Sequence, residues 1–411
     1  MHLLYKIFLF LLIIISPFLV IIRIIIGKED PIRFREKFCF FSNKSLNGKT
    51  VWIHGASLGE IQSIIPIVKK FEKNNKIKQI LITSNTLSSS LLIPKFKFKK
   101  TVHQFFPIDL NYFSKKFLNY WNPSIAIFVD SEIWPNMILN LYKKEIPIII
   151  LNARFTKKSF KRWFRFPNFS KNIFKKISMA IPQNSETLFH LKALGVKNIK
   201  KISNIKYYGE KFQSKINTSI KKKFSNRNIW CAASTHEGEE IIIANIHKKL
   251  KPNNKKLLTI LIPRHVNRKN SIIRNLKDND LKIVTHSSGD KINNNTDIYL
   301  VDSYGEVLNF YNLTKLVFMG GSLVPHGGQN PLEPARLGNT IIHGPYVDNF
   351  KEVYSFLKKL KLSIKINKPT QIEKILIKNI KHSQKNTKTK KLNLIGKKIL
   401  ADSINELNKY I

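Results

Sequence analysis

The chain has 411 residues, 43% hydrophobic and 11% aromatic, enough apolar material for two sizeable cores and too much for a disordered or fibrous protein. Two cysteines, Cys39 and Cys231, are too few for a disulfide framework or a cysteine-built zinc site. The 71 Lys and Arg against 26 Asp and Glu leave a charge of +45, but the 11 Arg are scattered without an aromatic cluster, which argues against nucleic acid and for acidic partners such as phospholipid headgroups.

The first element is apolar. Ile7 to Ile22 is almost unbroken hydrocarbon, interrupted by Ser16 and Pro17, and extension to Ile26 gives a length that crosses a thin bilayer. No small-x-small cleavage site follows. Lys28, Arg33, Arg35 and Lys37 come instead, so residues 1–28 read as an uncleaved signal-anchor with the rest of the chain on the cytoplasmic side.

Short β-branched runs then recur at Val51–His54, Gln79–Ser84, Ile125–Val129 and Pro147–Leu151, and again at Ile229–Ala233, Leu258–Pro263, Ile298–Asp302, Leu316–Gly320 and Thr340–His343. Segments with helical apolar spacing lie between most of them, such as Ile61–Phe71 and Glu239–Leu250. This alternation predicts an α/β chain with parallel sheets covered on both faces. A charged, Ser/Asn-rich stretch over 211–227 separates the two sets as a linker. The expectation is two Rossmann-like doubly wound domains facing a cleft, over 29–210 and 228–385. Helical spacing returns in Ile372–Ile380 and Leu392–Leu407, the latter in a C-terminal helix over 386–411.

Four junctions share one pattern: Ser57-Leu58-Gly59-Glu60, Ser234-Thr235-His236-Glu237, Ser303-Tyr304-Gly305-Glu306 and Asn330-Pro331-Leu332-Glu333. Each reads as a capping box, in which the first residue caps a helix and the Glu at the third helical position reaches back. Pro331 suits a first helical position. Capping alone accounts for these Glu residues. Their position adds a second reading, because ligands of open α/β sheets bind beyond the carboxyl ends of the strands, where helix N-termini offer N–H groups to a phosphate. Gly320-Gly321-Ser322 and Gly327-Gly328 let backbone approach an anion closely. No Gly-Lys-Ser/Thr of a P-loop and no G-x-G-x-x-G occurs, which argues against ATPase and dinucleotide chemistry.

Further groups bear chemistry. Glu60 stands at the mouth of the first domain, where a base serves a substrate hydroxyl within hydrogen-bond reach. Asp130-Ser131-Glu132-Ile133-Trp134-Pro135-Asn136 ends Ile125–Val129 with two acids. The pair resembles the Asp-x-Asp/Glu of metal–nucleotide sites, but a helix start with Pro135 in its first turn is the preferred reading. Pro263-Arg264-His265, with Arg268 nearby, suits a phosphate or carboxylate, the alternative being a solvated turn. Lys206, in Asn204-Ile205-Lys206-Tyr207, falls at the join between domains. Asp278-Asn279-Asp280 reads as a turn, and the histidines show no metal-ligand spacing.

Together these blocks resemble the 3-deoxy-D-manno-octulosonic acid (Kdo) transferases of lipopolysaccharide assembly. The matching segments are Trp52–Glu60, Phe106–Asp109, Ser131–Asn136, Asn152–Arg154 with Lys157–Trp163, Gln183–Glu186, Asn204–Lys206, Ala232–Glu240, Ile262–Arg268, Val301–Glu306, Gly320–Ala335 and Gly344–Phe350, in family order. The resemblance implies a membrane-bound glycosyltransferase of the GT-B arrangement that inverts the anomeric centre and uses no metal or other cofactor. It implies CMP-Kdo as donor, the lipid A precursor lipid IVA as acceptor, and a place among the phospholipids of the inner membrane, with no nucleic-acid partner. The N-terminal domain is then the acceptor-binding one and the C-terminal domain the CMP-sugar-binding one.

By the same resemblance Glu60 is the general base, and the acids before Trp134, together with Lys206, act in the transition state. CMP contacts fall on Pro263 and Arg264, on Tyr304, Gly305 and Glu306, and on Asn330, Pro331, Leu332 and Glu333. Two departures stand out. The family's Glu-x-Glu is Asp130-Ser131-Glu132 here, which leaves Asp130 and Glu132 both open as the functional acid, and Ser84–Ser90 lacks the glycine often found in that loop. The competing readings are a transferase for another nucleotide sugar and a non-catalytic, membrane-tethered binder of anionic lipid or nucleic acid.

Overall fold

The structure is a computed structural model that describes residues 20–209, 218–379 and 388–411. Residues 1–19 of the expected anchor lie outside them. Residues 20–25 are helical, and among the described residues no helix is long and apolar enough to cross a membrane. The chain divides into two compact units, Met1–Tyr208 with Gly396–Ile411, and Gly209–Ile395.

In the first unit β1 (Thr50–His54), β2 (Gln79–Ser84), β3 (Thr101–Phe105), β4 (Ile125–Val129), β5 (Ile148–Ala153) and β6 (Met179–Pro182) form a parallel sheet of order β3-β2-β1-β4-β5-β6. Side chains of a strand alternate between faces. Val51 and Ile53 therefore enter one core with Ile61, Ile64 and Val68 of the helix Leu58–Glu72, while Trp52 enters the other with Phe117 and Leu118 of the helix Asn111–Trp121. A sheet covered on both faces calls for the continuous apolar runs that this sequence carries. Leu400 and Leu407 of the last helix, Thr389–Asn408, complete the first of these cores. Strand order reverses between β1 and β4, the switch point at which such sheets take ligands.

In the second unit β7 (Asn228–Thr235), β8 (Leu257–Pro263), β9 (Ile283–Thr285), β10 (Ile298–Leu300), β11 (Leu316–Met319), β12 (Thr340–His343) and β13 (Ser363–Lys365) form a parallel sheet of order β13-β12-β11-β7-β8-β10-β9. Its switch point lies between β7 and β11. Trp230, Leu261 and Phe318 pack with Ile243 and Ile246 of the helix Glu239–Leu250. Residues 211–217 of the expected linker lie outside the described residues, but Thr218–Lys223 is a helix. The reason is apolar anchoring: Ile220 and Phe224 are buried, and Phe224 meets Tyr299 edge-on at 5.1 Å.

Each sheet carries a register shift at a strand end, with Asn152 (φ +56°) between the β5–β6 pairs and Ser234 (φ +56°) between the β7–β8 pairs. Irregularities of this kind re-aim the side chains around them.

Candidate active site

The helix Leu58–Glu72 starts directly after β1, and its first turn is the expected capping box. Ser57 Oγ accepts from Glu60 N at 3.4 Å, and Glu60 Oε1 accepts the Ser57 hydroxyl at 2.8 Å. The other oxygen reaches one residue further back and accepts Ala56 N at 2.7 Å. Each oxygen retains a lone pair, so the carboxylate still has a place for a proton. Burial, then the charge of Asp130 and more weakly that of Glu132, push the Glu60 carboxyl up to about 7, against the bonds from Ser57 and Ala56. That value suits a general base at neutral pH.

Asp130 follows β4 with a left-handed backbone (φ +60°), a conformation Asp tolerates better than most residues. Its N donates to Leu151 O at 3.0 Å and its O accepts from Arg154 N at 3.1 Å. The residue is 6% exposed. Oδ1 accepts Asn152 Nδ2 at 2.6 Å, and Oδ2 accepts the Lys206 ammonium at 2.9 Å. Asn152, at the register shift, also accepts Ile205 N at 3.0 Å, and Asn204 accepts Lys206 N at 2.9 Å. Two asparagines thus place the backbone that carries Lys206.

Glu132 is engaged elsewhere. Its Oε2 accepts Trp134 Nε1 at 2.9 Å and faces His54 Nε2 at 3.3 Å. His54 Nδ1 lies 3.0 Å from Thr83 Oγ1, and its ring stacks on Phe106 at 4.0 Å. The two acids left open by the sequence therefore have different partners, an ammonium for Asp130 and an imidazole and indole for Glu132. Sequence reasoning did not single out His54, Thr83 or Asn152. Strand alternation puts His54 on the Trp52 face, but nothing local pairs it with an acid 78 residues on. In a Lys206→Ala variant Asp130 loses its cation, and the Glu60 carboxyl is expected to titrate at higher pH than in the parent. Carbon-detected NMR of the glutamate carboxyls reads this, and an unmoved Glu60 midpoint would mean that the pair has no electrostatic reach to it.

The second unit departs from the expected capping boxes. β7 runs on through Ser234 to Thr235, Glu237 is exposed, and the helix starts at Glu239 behind Gly238, whose φ is +88°. Ser303 does not cap either, because Glu306 is itself the residue before the helix Val307–Leu313. Asn330 is not the cap: its Oδ1 accepts Leu332 N at 3.1 Å, but Pro331 is the residue before the helix Leu332–Arg336 and Glu333 is the second residue in it. In each case strand or turn takes up residues that the pattern assigns to the first helical turn.

The cradle expected to meet a phosphate at Gly320-Gly321-Ser322 is filled by the protein's own carboxylate. Glu239 is fully buried. Its Oε2 accepts His236 N at 2.9 Å and Gly321 N at 2.7 Å, and its Oε1 accepts Ser322 N at 3.1 Å and Leu323 N at 3.0 Å. Burial pushes this carboxyl above its ordinary value, and the four N–H donors pull it back. A Cβ on Gly320 would meet Ser234 O at 2.3 Å, so only glycine lets the two turns approach. Arg268 is also committed, donating to both oxygens of Glu240 at 3.0 and 3.3 Å, whereas Arg264 and His265 are exposed just past β8.

The remaining expected nucleotide contacts follow β8, β10 and β11 on the carboxyl edge of this sheet. Pro263 ends β8, Arg264 N donates to Thr235 O at 3.0 Å, and Tyr304 is 74% exposed. Gly305 has φ +92°, and Glu306 meets His286. Pro331 and Leu332 are buried and Glu333 exposed. Asp278–Asp280 forms a turn. Among the described residues no cluster of three or more His, Cys, Asp or Glu is arranged to hold a metal ion.

Residues 32–208 match the family described as 3-Deoxy-D-manno-octulosonic-acid transferase (kdotransferase). A 3-deoxy-D-manno-octulosonic acid transferase of Rickettsia bellii is 34% identical over 98% of this chain and 97% of its own length. One from Haemophilus influenzae is 31% identical over 82% of this chain and 80% of its own. Among solved structures, the UDP-GlcNAc 2-epimerase of Neisseria meningitidis superposes with a TM-score of 0.57 over 88% of this chain and 99% of its own, at 11% identity, a likeness of fold alone.

Proposed function

The chain belongs to the 3-deoxy-D-manno-octulosonic acid transferase family and is a Kdo-transferring glycosyltransferase, and on that premise we propose that it moves Kdo from CMP-Kdo onto the lipid A precursor lipid IVA at the cytoplasmic face of the inner membrane. The observation that carries the reading is the half-buried Glu60 carboxyl, held at about 7 beside the strand-order switch. We assign the acceptor to the domain over 29–210 and the donor to the domain over 228–385, in the GT-B manner the resemblance implies.

In the proposed step an acceptor hydroxyl oxygen bonds to the anomeric carbon of Kdo while Glu60 takes its proton. The bond from that carbon to the phosphate oxygen breaks on the opposite side, CMP leaves with the electron pair, and the centre inverts. Asp130 takes the role of the family's first acid, since it rather than Glu132 holds the Lys206 ammonium. The charge on the departing phosphate is met by cationic side chains of the donor domain such as the exposed Arg264, so no metal is required. Pro263, Tyr304, Gly305, Glu306 and residues 330–333 contact the rest of CMP.

The membrane side of the proposal rests on the apolar sequence from Ile7 to Ile26, read as an anchor, and on the helix Lys157–Phe164. That helix has no buried residue and carries Lys157, Lys158, Lys161 and Arg162, with Arg165 following and Phe164 and Phe166 exposed. Basic residues at an anionic bilayer gain about 1 kcal/mol each.

The test is one assay. Purified full chain, CMP-Kdo and tetra-acylated lipid A precursor are expected to give products heavier by one or more Kdo residues, at a rate unaffected by EDTA. Transfer that needs UDP-sugars, or that stops in EDTA, would refute the donor and the metal-free chemistry in turn. Steeply salt-dependent DNA binding without transfer would favour the non-catalytic reading.

A further inference from the structure

Glu306 precedes a helix of seven residues and its side chain is 42% exposed, so neither burial nor a long helix fixes its carboxylate. What fixes it comes from the neighbouring strand. β9 pairs with β10 over three residues, and the ladder runs one residue further, with His286 N donating to Leu300 O at 2.8 Å. His286 thus leaves the sheet edge beside the turn Asp302–Glu306. Its Nε2 lies 2.9 Å from Glu306 Oε2 and its Nδ1 lies 2.8 Å from the Tyr299 hydroxyl. The ring meets Tyr299 and Phe310 edge-on, at 5.9 and 5.5 Å.

Burial, aided by the charges of Glu306 and Asp302, pushes the Tyr299 hydroxyl up to about 12, so it keeps its proton at neutral pH. A carboxylate oxygen can only accept, so the Nε2 that faces Glu306 carries the ring proton, and the second bond is shared between Nδ1 and the Tyr299 hydroxyl. The next residue is tied to the same turn. Ser287 N donates to Asp302 Oδ1 at 2.8 Å, and the Ser287 hydroxyl and Lys269 ammonium both reach Asp302 Oδ2. Two consecutive residues after β9 therefore grip both ends of the turn that follows β10.

We propose that His286 is a positioning residue for donor binding, orienting the Glu306 carboxylate, through a chain of bonds from Tyr299, toward the N–H and O–H donors of a nucleoside monophosphate. This rests on the proposed contact between CMP and Tyr304-Gly305-Glu306. Nothing in the sequence marks His286, which stands in a Lys/Ser/Asn-rich stretch and follows a strand of three residues.

The test is calorimetric titration of CMP into the full chain. The parent is expected to bind, and Glu306→Gln and His286→Phe are each expected to weaken binding roughly 10-fold. His286→Gln, whose amide N–H reaches the Nε2 position, is expected to recover most of the loss. On the Glu306→Gln background His286→Phe is expected to add nothing, the signature of two residues acting as one unit. Equal losses on both backgrounds, or no loss in His286→Phe, would overturn the role. Tyr299→Phe removes one hydroxyl and leaves the ring packing, so it reads the same chain of bonds if His286→Phe misfolds. A several-fold loss is expected there, and an unchanged affinity also overturns the role. A parent chain that does not bind CMP at all refutes the nucleotide reading itself.

Discussion

Glu60→Gln is expected to lower kcat/KM for Kdo transfer by a factor of about 10²–10⁴, the usual range for loss of a general base, while the chain stays folded. The local geometry allows the substitution. The amide oxygen can accept Ala56 N as Oε2 does now, and the amide nitrogen can donate to Ser57 Oγ. Folding is expected to improve above neutrality. A carboxyl raised from 4.5 to about 7 contributes its share of stability only while protonated. That share is complete below the unfolded value and is lost as pH rises through the folded one. The glutamine stays neutral, so at pH 8 the variant is expected to be more stable by about 1–2 kcal/mol, discounting for the partial exposure of the site. At pH 4 the two should melt alike. A variant that transfers Kdo at the parental rate would end the role proposed for Glu60.

The same shift fixes the pH dependence of the parent. kcat/KM is expected to fall with decreasing pH through an acid limb centred at about 7, because the proton acceptor must be ionised in the free enzyme. Asp130→Asn removes the larger of the two neighbouring charges and should move the limb of the residual activity to lower pH. Glu132→Gln should move it in the same direction by less. A limb that stays in place in both variants would assign it to another group.

The central strands were legible and the edges were not. Gln79–Ser84, Ile125–Val129 and Thr340–His343 stand where the apolar runs place them, because a strand buried on both faces is apolar at nearly every position. The four strands that the runs do not reveal, Thr101–Phe105, Met179–Pro182, Ile283–Thr285 and Ser363–Lys365, are the outermost strand on each side of each sheet. Edge strands have one neighbour, tolerate polar residues such as His103 and Gln104, and are short, so their pattern fades into that of loops. The site divides in the same way. Ser57 and Glu60 are three residues apart and their capping box could be read locally. Asp130 meets Lys206 76 residues away, and His286 meets Glu306 from an adjoining strand, contacts that only the sheet order creates.

Glu239→Ala is expected to destabilise the second unit by about 3–5 kcal/mol, the cost of leaving several buried donors without an acceptor. This carboxylate takes four backbone N–H groups from the turns after β7 and β11, which flank the switch point of the sheet. The loss is a large fraction of the roughly 5–15 kcal/mol that holds a domain together. Glu239→Gln keeps one acceptor oxygen and turns an amide N–H toward N–H donors, so it should recover little. Glu237→Ala separates this account from simple capping. The Ser-x-x-Glu pattern falls on Glu237, yet its side chain is exposed, and its removal should cost less than about 0.5 kcal/mol. Denaturant unfolding of the three variants decides between them. If Glu237→Ala and Glu239→Ala lose similar stability, the helix is held by its cap. If only Glu239→Ala does, the glycine turn after β11 is held by an internal anion, and the nucleotide phosphate must find its positive partners in side chains such as Arg264 rather than in the N–H groups of residues 321–323.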